Sequence, residues 1–546
     1  MGRSFWTLLI GILLLAAVAY SNHFQNTFQF DDAHTVVNNP WIRDIKNIPL
    51  FFRDATTFSV FPPNRVYRPL VSTSLAIDYW LGGGTIPFWF HLSTFLWFLV
   101  QICFMAVLFR RALQRHFTKS EQLWTAMAAT AIYAVHPAIA ETINYVIQRA
   151  DVYSTLGVVA GLVIFSRKGA DRHDYILPVV AALLCKPPAV VFPVLLFLWM
   201  LWIEDIPAAT AFRRSIPALA VTIAVMAFTK YTTPPSFGGK MISTVPYLTA
   251  QPAVILHYFG QFFLPLQLTG DSDFGTFASP LDPLAAAGFA FVIIMLAATV
   301  WFARKPGTRP IAFGLAWFLV GCLPTSLYPL AEVENDHRMY FPFVGLTLAV
   351  CAAIARLLPA LGLPSRWRTI VLAGTATPIL VGLAWGTTQR NQVWRTPESF
   401  WSDVAQKSPG NAKGLNAYGL VLMLKGDDAG ALTMFERAAA IMPEYFRLET
   451  NLGTVWDHLG NPDEAERHYL QATKLAPALA EPRIAYAEWL MNKGRLKEAI
   501  VQASLAIKQI PDEIVARHTL MTILDKANDA EGLRDAAKET LDRFRT

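Results

Sequence analysis

Cysteine is scarce in this chain. Its 546 residues include four, Cys103, Cys185, Cys322 and Cys351, all in or beside apolar runs and none in a Cys-x-x-Cys pair. A disulfide framework or a structural zinc site is therefore not expected. Charge is scarce as well: 16% of residues are Asp, Glu, Lys or Arg, against roughly a quarter in ordinary soluble domains. That excludes a single soluble domain, and with 54% hydrophobic residues it excludes a disordered chain. The excess of one sign is small, 46 basic against 40 acidic residues, a net +6. Nucleic-acid binding driven by charge is excluded. There is no Walker or Gly-x-Gly-x-x-Gly loop to cradle a nucleotide. The apolar runs hold almost no paired charges, which argues against an ion-coupled pump.

What is present divides in two. Residues 1–390 carry 27 basic and 18 acidic groups, so about 12% of that span is charged. Residues 391–546 carry 19 basic and 22 acidic groups, about 26%. The head reads as membrane and the tail as a soluble domain.

A helix crossing the hydrocarbon core needs roughly 20 apolar residues. Candidate runs in the head are 5–20, 89–109, 123–138, 152–166, 174–185, 189–203, 215–230, 284–303, 310–326, 341–358 and 369–387. The first is expected to be a retained signal anchor, with a cleaved signal peptide as the rival reading. Basic residues orient the spans. Arg110, Arg111, Arg115 and Lys119 fill one short loop; Arg167, Lys168 and Arg172 the next on that side. Arg213 and Arg214, then Arg304, Lys305 and Arg309, then Arg356, Arg366 and Arg368 follow. That side reads as cytoplasm if the aromatic, Pro-punctuated segment 248–268, weakly helical in period, is re-entrant or interfacial. The result is about 11 spans with the tail on the outer side.

The tail repeats. Pro409, Pro443, Pro477 and Pro511 stand 34 residues apart. In register come Gly419 and Gly453, then Ala431, Ala465 and Ala499, Phe435 and Tyr469, and Ala438, Ala472 and Ala506. A helix pair needs small residues where its helices touch and large ones where repeats stack, and this period matches the tetratricopeptide repeat. Full repeats are expected at 412–445, 446–479 and 480–513, after a half repeat (397–411) and before a degenerate helical cap (514–546). The fold class is all-α: a polytopic bundle followed by an α-solenoid. The solenoid offers a groove for acceptor polypeptide, or serves as a rigid spacer.

The outer loops carry the chemistry. The first, 21–88, holds Asp31-Asp32, Arg65, Arg68 and Asp78. Adjacent carboxylates beside a membrane can activate an acceptor hydroxyl or hold a cation; the alternative is a helix N-cap. Another connection reads His136-Pro137-Ala138-Ile139-Ala140-Glu141, then Asn144, Gln148, Arg149 and Asp151. Lys186, beside two prolines, can meet a phosphate or snorkel to water. The late loop 327–342 packs Glu332, Glu334, Asp336, His337, Arg338 and Tyr340 together. Its spacing fits no standard zinc pattern, so metal use is left open. Acid plus Arg and Lys at a membrane surface suits a lipid-linked phosphate held while a carboxylate activates a nucleophile.

These residues resemble a known family. Phe30-Asp31-Asp32, Asn38-Asn39-Pro40 and Tyr67-Arg68-Pro69-Leu70 in the first loop resemble the signature of GT-C type membrane glycosyltransferases. His136 to Glu141 with Arg149-Ala150-Asp151, and the late loop's Tyr-x-Pro, add to it. With its repeat tail the chain is similar to the transmembrane and tetratricopeptide-repeat O-mannosyltransferases. The resemblance implies an outer-face active site and a polyprenyl-phosphate-linked sugar as donor. It implies inverting transfer, with protein Ser/Thr as the foremost acceptor. A first-loop Asp, Asp32 by preference or Asp31, would be the base. Arg65, Arg68, Arg149, Lys186, Arg338, Glu141, His136, His337 and Tyr340 would hold the donor. Two departures stand out. His91 is followed by Thr94 where relatives often have His-x-x-Asn, and His337 precedes Arg338 where an acid is common. The outer segments hold no Asn-x-Ser/Thr sequon, which suggests a bacterial inner membrane with periplasmic repeats. The competing expectations are a membrane-anchored repeat scaffold without catalysis, or a lipid-linked sugar flippase.

Overall fold

The computed structural model of the chain describes residues 2–168, 173–237, 242–358, 362 and 365–544. Arg172 and the side chains of Lys168, Arg366 and Arg368 lie outside the described residues. Among the described residues there are helices and no strands. Two compact units form, Met1–Phe400 and Trp401–Thr546. The division falls ten residues beyond the change in composition at 390. The reason is aromatic: Trp394 stacks on Tyr145, and Phe400 meets Phe30 edge-on at 5.3 Å.

Among the described residues of the first unit, seven helices are long and apolar enough to cross a membrane. An eighth candidate, Lys119–Ala134 with Pro137–Asn144, is bent by 54°. The bend falls at Pro137, which lacks a backbone donor, and the His136 ring accepts from the Ala138 amide there. The expected runs at 174–185 and 189–203 are the shorter apolar helices His173–Leu183 and Pro187–Ile203. The last run lies within Ser365–Val393. The chain is an integral, multi-pass membrane protein.

The segment 248–268 departs from its weak helical period. Thr244–Phe263 is a continuous 20-residue helix with Pro252 inside it. Burial of one face overrides the sequence period: Tyr247, Gln251, Val254, Tyr258 and Phe262 all point into the unit. Gln251 donates to the Val333 carbonyl at 3.1 Å and Tyr258 to the Asn335 carbonyl at 2.9 Å. This helix therefore holds the late loop. The helices on either side of that loop, Arg309–Leu327 and Tyr340–Leu357, approach backbone to backbone. A Cβ on Gly314 would lie 2.4 Å from the Gly345 carbonyl oxygen. Small residues allow such contact where lipid gives no hydrophobic drive between helices.

The second unit is the repeat array. Helix pairs run Ala412–Leu424 with Asp428–Ile441, Phe446–His458 with Pro462–Leu475, and Glu481–Asn492 with Leu496–Gln509. The expected cap is a fourth pair, Ile514–Lys526 with Ala530–Phe544. Gly426, Gly460 and Gly494 turn between the paired helices at φ +83°, +79° and +75°, and Asn528 takes the same place at +54°. Asn is the side chain that best tolerates this left-handed turn after Gly. The repeated alanines at 431, 465, 499, 438, 472 and 506 are fully buried.

Candidate active site

The acid pair sits where the first outer loop doubles back. Phe30 takes a left-handed φ of +50°, uncommon for a residue with a side chain. A π-helical turn, Ala33–Val37, follows. Asp31 and Asp32 then diverge. Asp32 is fully buried. One of its oxygens accepts from the Ile147 amide at 2.9 Å, the other from the Gln29 amide at 3.2 Å. Burial pushes its carboxyl up to about 7, and neighbouring Asp31 pushes the same way, against those amide bonds. Asp31 keeps 42% of its side chain exposed, and its Oδ1 lies 3.1 Å from His34 Nε2. Its own amide donates to the Tyr145 hydroxyl at 2.9 Å. His34 is held in turn by Ser59 at 2.9 Å through Nδ1. Sequence reasoning favoured Asp32; the geometry leaves Asp31 as the carboxylate open to an incoming group.

Cations gather beside this loop. Arg68, the residue before helix Pro69–Gly82, lies over the Phe58 ring at 5.4 Å. Its Nε is buried with no hydrogen-bond partner among the described residues. Asp31 and Asp151 are the carboxylates within electrostatic reach of it. Lys186 follows the end of a short helix because Pro187 and Pro188 stop it there. Its Nζ meets Asp151 and Gln148, each at 2.6 Å. Arg338 donates to the carbonyls of Val333 and Glu332. Arg68, Lys186 and Arg338 all act on His337, whose Nδ1 lies 2.9 Å from Glu141 Oε1. Asp31, Arg68, Lys186, Arg338, His337 and Glu141 thus share one neighbourhood.

Five other expected residues are occupied elsewhere. Arg149 is fully buried in an ion pair with Asp78, and it also donates to the Phe90 and Val146 carbonyls and to Ser93. Arg65 donates to the carbonyls of Ser59 and Val60 in its own loop. His136 is stacked on Phe262 and bonded to that residue's carbonyl. Tyr340 donates to Gln101 inside the bundle. Asp32 is held by amides, as above. These five shape the site without facing it.

Some of the neighbourhood was not singled out from sequence. Tyr145 positions the Asp31 backbone. Arg390, 4% exposed on the last helix of the unit, lies 3.6 Å from Asp336. Asn26 and Asn391 join Asn144, which the sequence did offer beside Glu141, in a buried ladder, Asn26 to Asn144 at 2.6 Å and Asn144 to Asn391 at 2.7 Å, that ties three distant segments together. The only sequence signal was polarity at the end of an apolar run. In the late loop, burial pushes Glu334 up to about 7. Among the described residues no three His, Cys, Asp or Glu side chains are placed to share a metal ion.

Fold and site together define a class: a multi-pass helical membrane protein with a repeat tail and an acid set among buried cations. No family model matches the chain. It is similar to protein O-mannosyl-transferases over most of its length. It is 23% identical over 561 residues to Tmtc3 of Drosophila melanogaster, covering 87% of this chain and 59% of that protein. It is 23% identical over 571 residues to TMTC3 of Mus musculus, covering 92% and 60%. The chain therefore spans about three-fifths of the length of these curated relatives. They are animal proteins, and the expectation of a bacterial source is not borne out; a missing sequon was too weak a sign. Among solved structures, an Archaeoglobus fulgidus oligosaccharyltransferase aligns over 74% of this chain and 57% of its own at 12% identity and a TM-score of 0.41. The tetratricopeptide protein YrrB aligns over 30% and 84% at 23% identity and 0.23.

Proposed function

We propose that the chain is a membrane glycosyltransferase of the O-mannosyltransferase kind. It moves a sugar, mannose by analogy with its relatives, from a polyprenyl-phosphate carrier to Ser or Thr hydroxyls of a polypeptide. The observation that carries this reading is Asp31, an open carboxylate beside Arg68, whose buried Nε lacks a partner among the described residues. In this reading Asp31 takes the acceptor hydroxyl proton as its oxygen attacks the anomeric carbon. The bond from that carbon to the phosphate oxygen breaks, with inversion. Arg68, Lys186 and Arg338 stabilise the phosphate dianion that leaves, since charge-assisted bonds are strongest in a site shielded from water. The repeats offer a polypeptide-binding surface on the same chain. Transfer would occur on the outer face, with an eleven-span topology placing the tail there.

The test is mass spectrometry of acceptor proteins from cells expressing the chain or its Asp31→Asn variant. Hexose on Ser or Thr that disappears with the variant supports the reading. An unchanged glycan profile with and without the chain overturns it and favours the scaffold.

A further inference from the structure

The span Pro87–Ala112 begins near the candidate active site, where Phe90 and His91 meet Arg149 and Asn26. At its other end lies a recess of about 390 Å³ lined by Val107, Arg110, Arg111, Gln114, Lys119 and Gln122. Three of the six lining residues are cations and none is acidic. The closest acid in sequence, Glu121, is engaged: its carboxylate accepts from the Thr118 amide at 2.8 Å in a capping box.

A bias of basic residues toward one side explains why arginines stand here. It does not explain how they are held. A topology arginine extends to water. Arg110 instead turns over the buried Phe5 ring at 5.3 Å, and its Nη1 is buried without a hydrogen-bond partner among the described residues. Lys119 makes no ion pair among the described residues. Arg111 caps the end of the helix Arg149–Lys168 through the Val163 carbonyl and the Ser166 hydroxyl. Gln122 closes the connecting loop by donating to the Gln114 and Phe117 carbonyls at 3.0 and 2.7 Å. The walls are thus fixed from two sides: Arg110 is held over Phe5 and Lys119 stays exposed beside it, neither of them in an ion pair among the described residues. The helices that meet here also carry Trp6 and Trp124, 51% and 60% exposed, the residue type that marks the headgroup level of a bilayer.

We propose that this recess binds a phosphate-bearing anion, with Arg110 and Lys119 as its principal ligands and an acidic phospholipid headgroup or a free phosphate as the source. The site lies at the opposite end of the span from the proposed chemistry and does not depend on the transferase reading.

The experiment uses the full chain in nanodiscs of phosphatidylcholine, with and without phosphatidylglycerol, and separately with inorganic phosphate. Native mass spectrometry reads the retained lipid, and a thermal melt reads stabilisation. Wild type should retain phosphatidylglycerol about thirtyfold over phosphatidylcholine, and Arg110→Gln with Lys119→Gln should abolish that preference, since each basic residue near an anionic surface contributes about a factor of five. Arg110→Lys, which keeps the charge, should preserve most of it and guards against simple misfolding. Stabilisation by inorganic phosphate alone, lost in the double variant, assigns the site to a soluble anion. Neither response, or a preference that survives in the double variant, overturns the proposal.

Discussion

Asp31 and Asp32 are neighbours in the chain and opposites in environment. Asp32 is sealed inside the unit with an amide on each oxygen, while Asp31 faces outward and leans on His34. Asp31→Asn should lower sugar transfer by about 100-fold or more, the usual cost of removing a general base, with an unchanged melting curve. Asp32→Asn should do the reverse. Its amide NH2 would oppose a backbone N–H, costing about 1–3 kcal/mol of stability, while the folded fraction keeps its activity. Transfer assays and thermal melts on both variants check this, and a stable but inactive Asp32→Asn enzyme would return the base to Asp32.

The Asp32 environment also sets a pH dependence. Its folded value, about 7, lies above the ordinary carboxyl value. The native state therefore holds a proton that the unfolded chain has released, and stability falls as pH rises toward 7. Wild type should lose about 2–3 kcal/mol relative to Asp32→Asn between pH 5 and 8, at about 1.4 kcal/mol per unit. Glu334 shifts the same way, so the difference between the two proteins, not either curve alone, isolates Asp32. Melting both across that range measures it. Parallel curves would show that Asp32 does not titrate as its burial requires.

Arg68 and Arg149 separate function from structure among the cations. Arg68→Gln removes a charge that makes no ion pair among the described residues, so it should weaken donor use by about tenfold or more, seen as a raised KM for the lipid donor, with little loss of stability. Arg149→Gln strands Asp78 in the interior and should cost about 3–5 kcal/mol. Donor titrations together with melting curves distinguish the two. Equal loss of stability in both variants would place Arg68 in the scaffold.

These contrasts mark where sequence reading stops. Each of the eleven apolar runs falls on helix, and the 34-residue period runs in step with the three helix pairs between Ala412 and Gln509, because both signals are local and periodic; the fourth pair, where the period degenerates, was expected only as a helical cap. The site is not local. Arg68 and Arg149 look alike as arginines in outer polar segments; what separates them is Asp78, 71 positions from Arg149. Asp31 and Asp32 differ because the Ile147 amide comes from another connection altogether. The helix Thr244–Phe263 was obscured by its aromatic and proline content, and only its packing against the late loop reveals why that composition is tolerated.

The repeats permit a sharp test of the same small-against-large logic. A Cβ on Gly453 would stand 2.9 Å from the Tyr469 ring, and one on Gly419 2.5 Å from the Phe435 ring. Each ring is buried against the alanines of its repeat and has nowhere to retreat. Gly453→Val should therefore destabilise its repeat by about 1–3 kcal/mol through overpacking, and more because a β-branched side chain is stiff in a helix. Repeats contact only their neighbours, so amide exchange should rise in Phe446–Leu475 and the adjoining pairs and leave the membrane unit unchanged. Tyr469→Leu in the Gly453→Val background frees room beside the new side chain and should restore part of the protection. Failure of that second change to recover anything would mean that the tyrosine ring is not what excludes a larger residue at position 453.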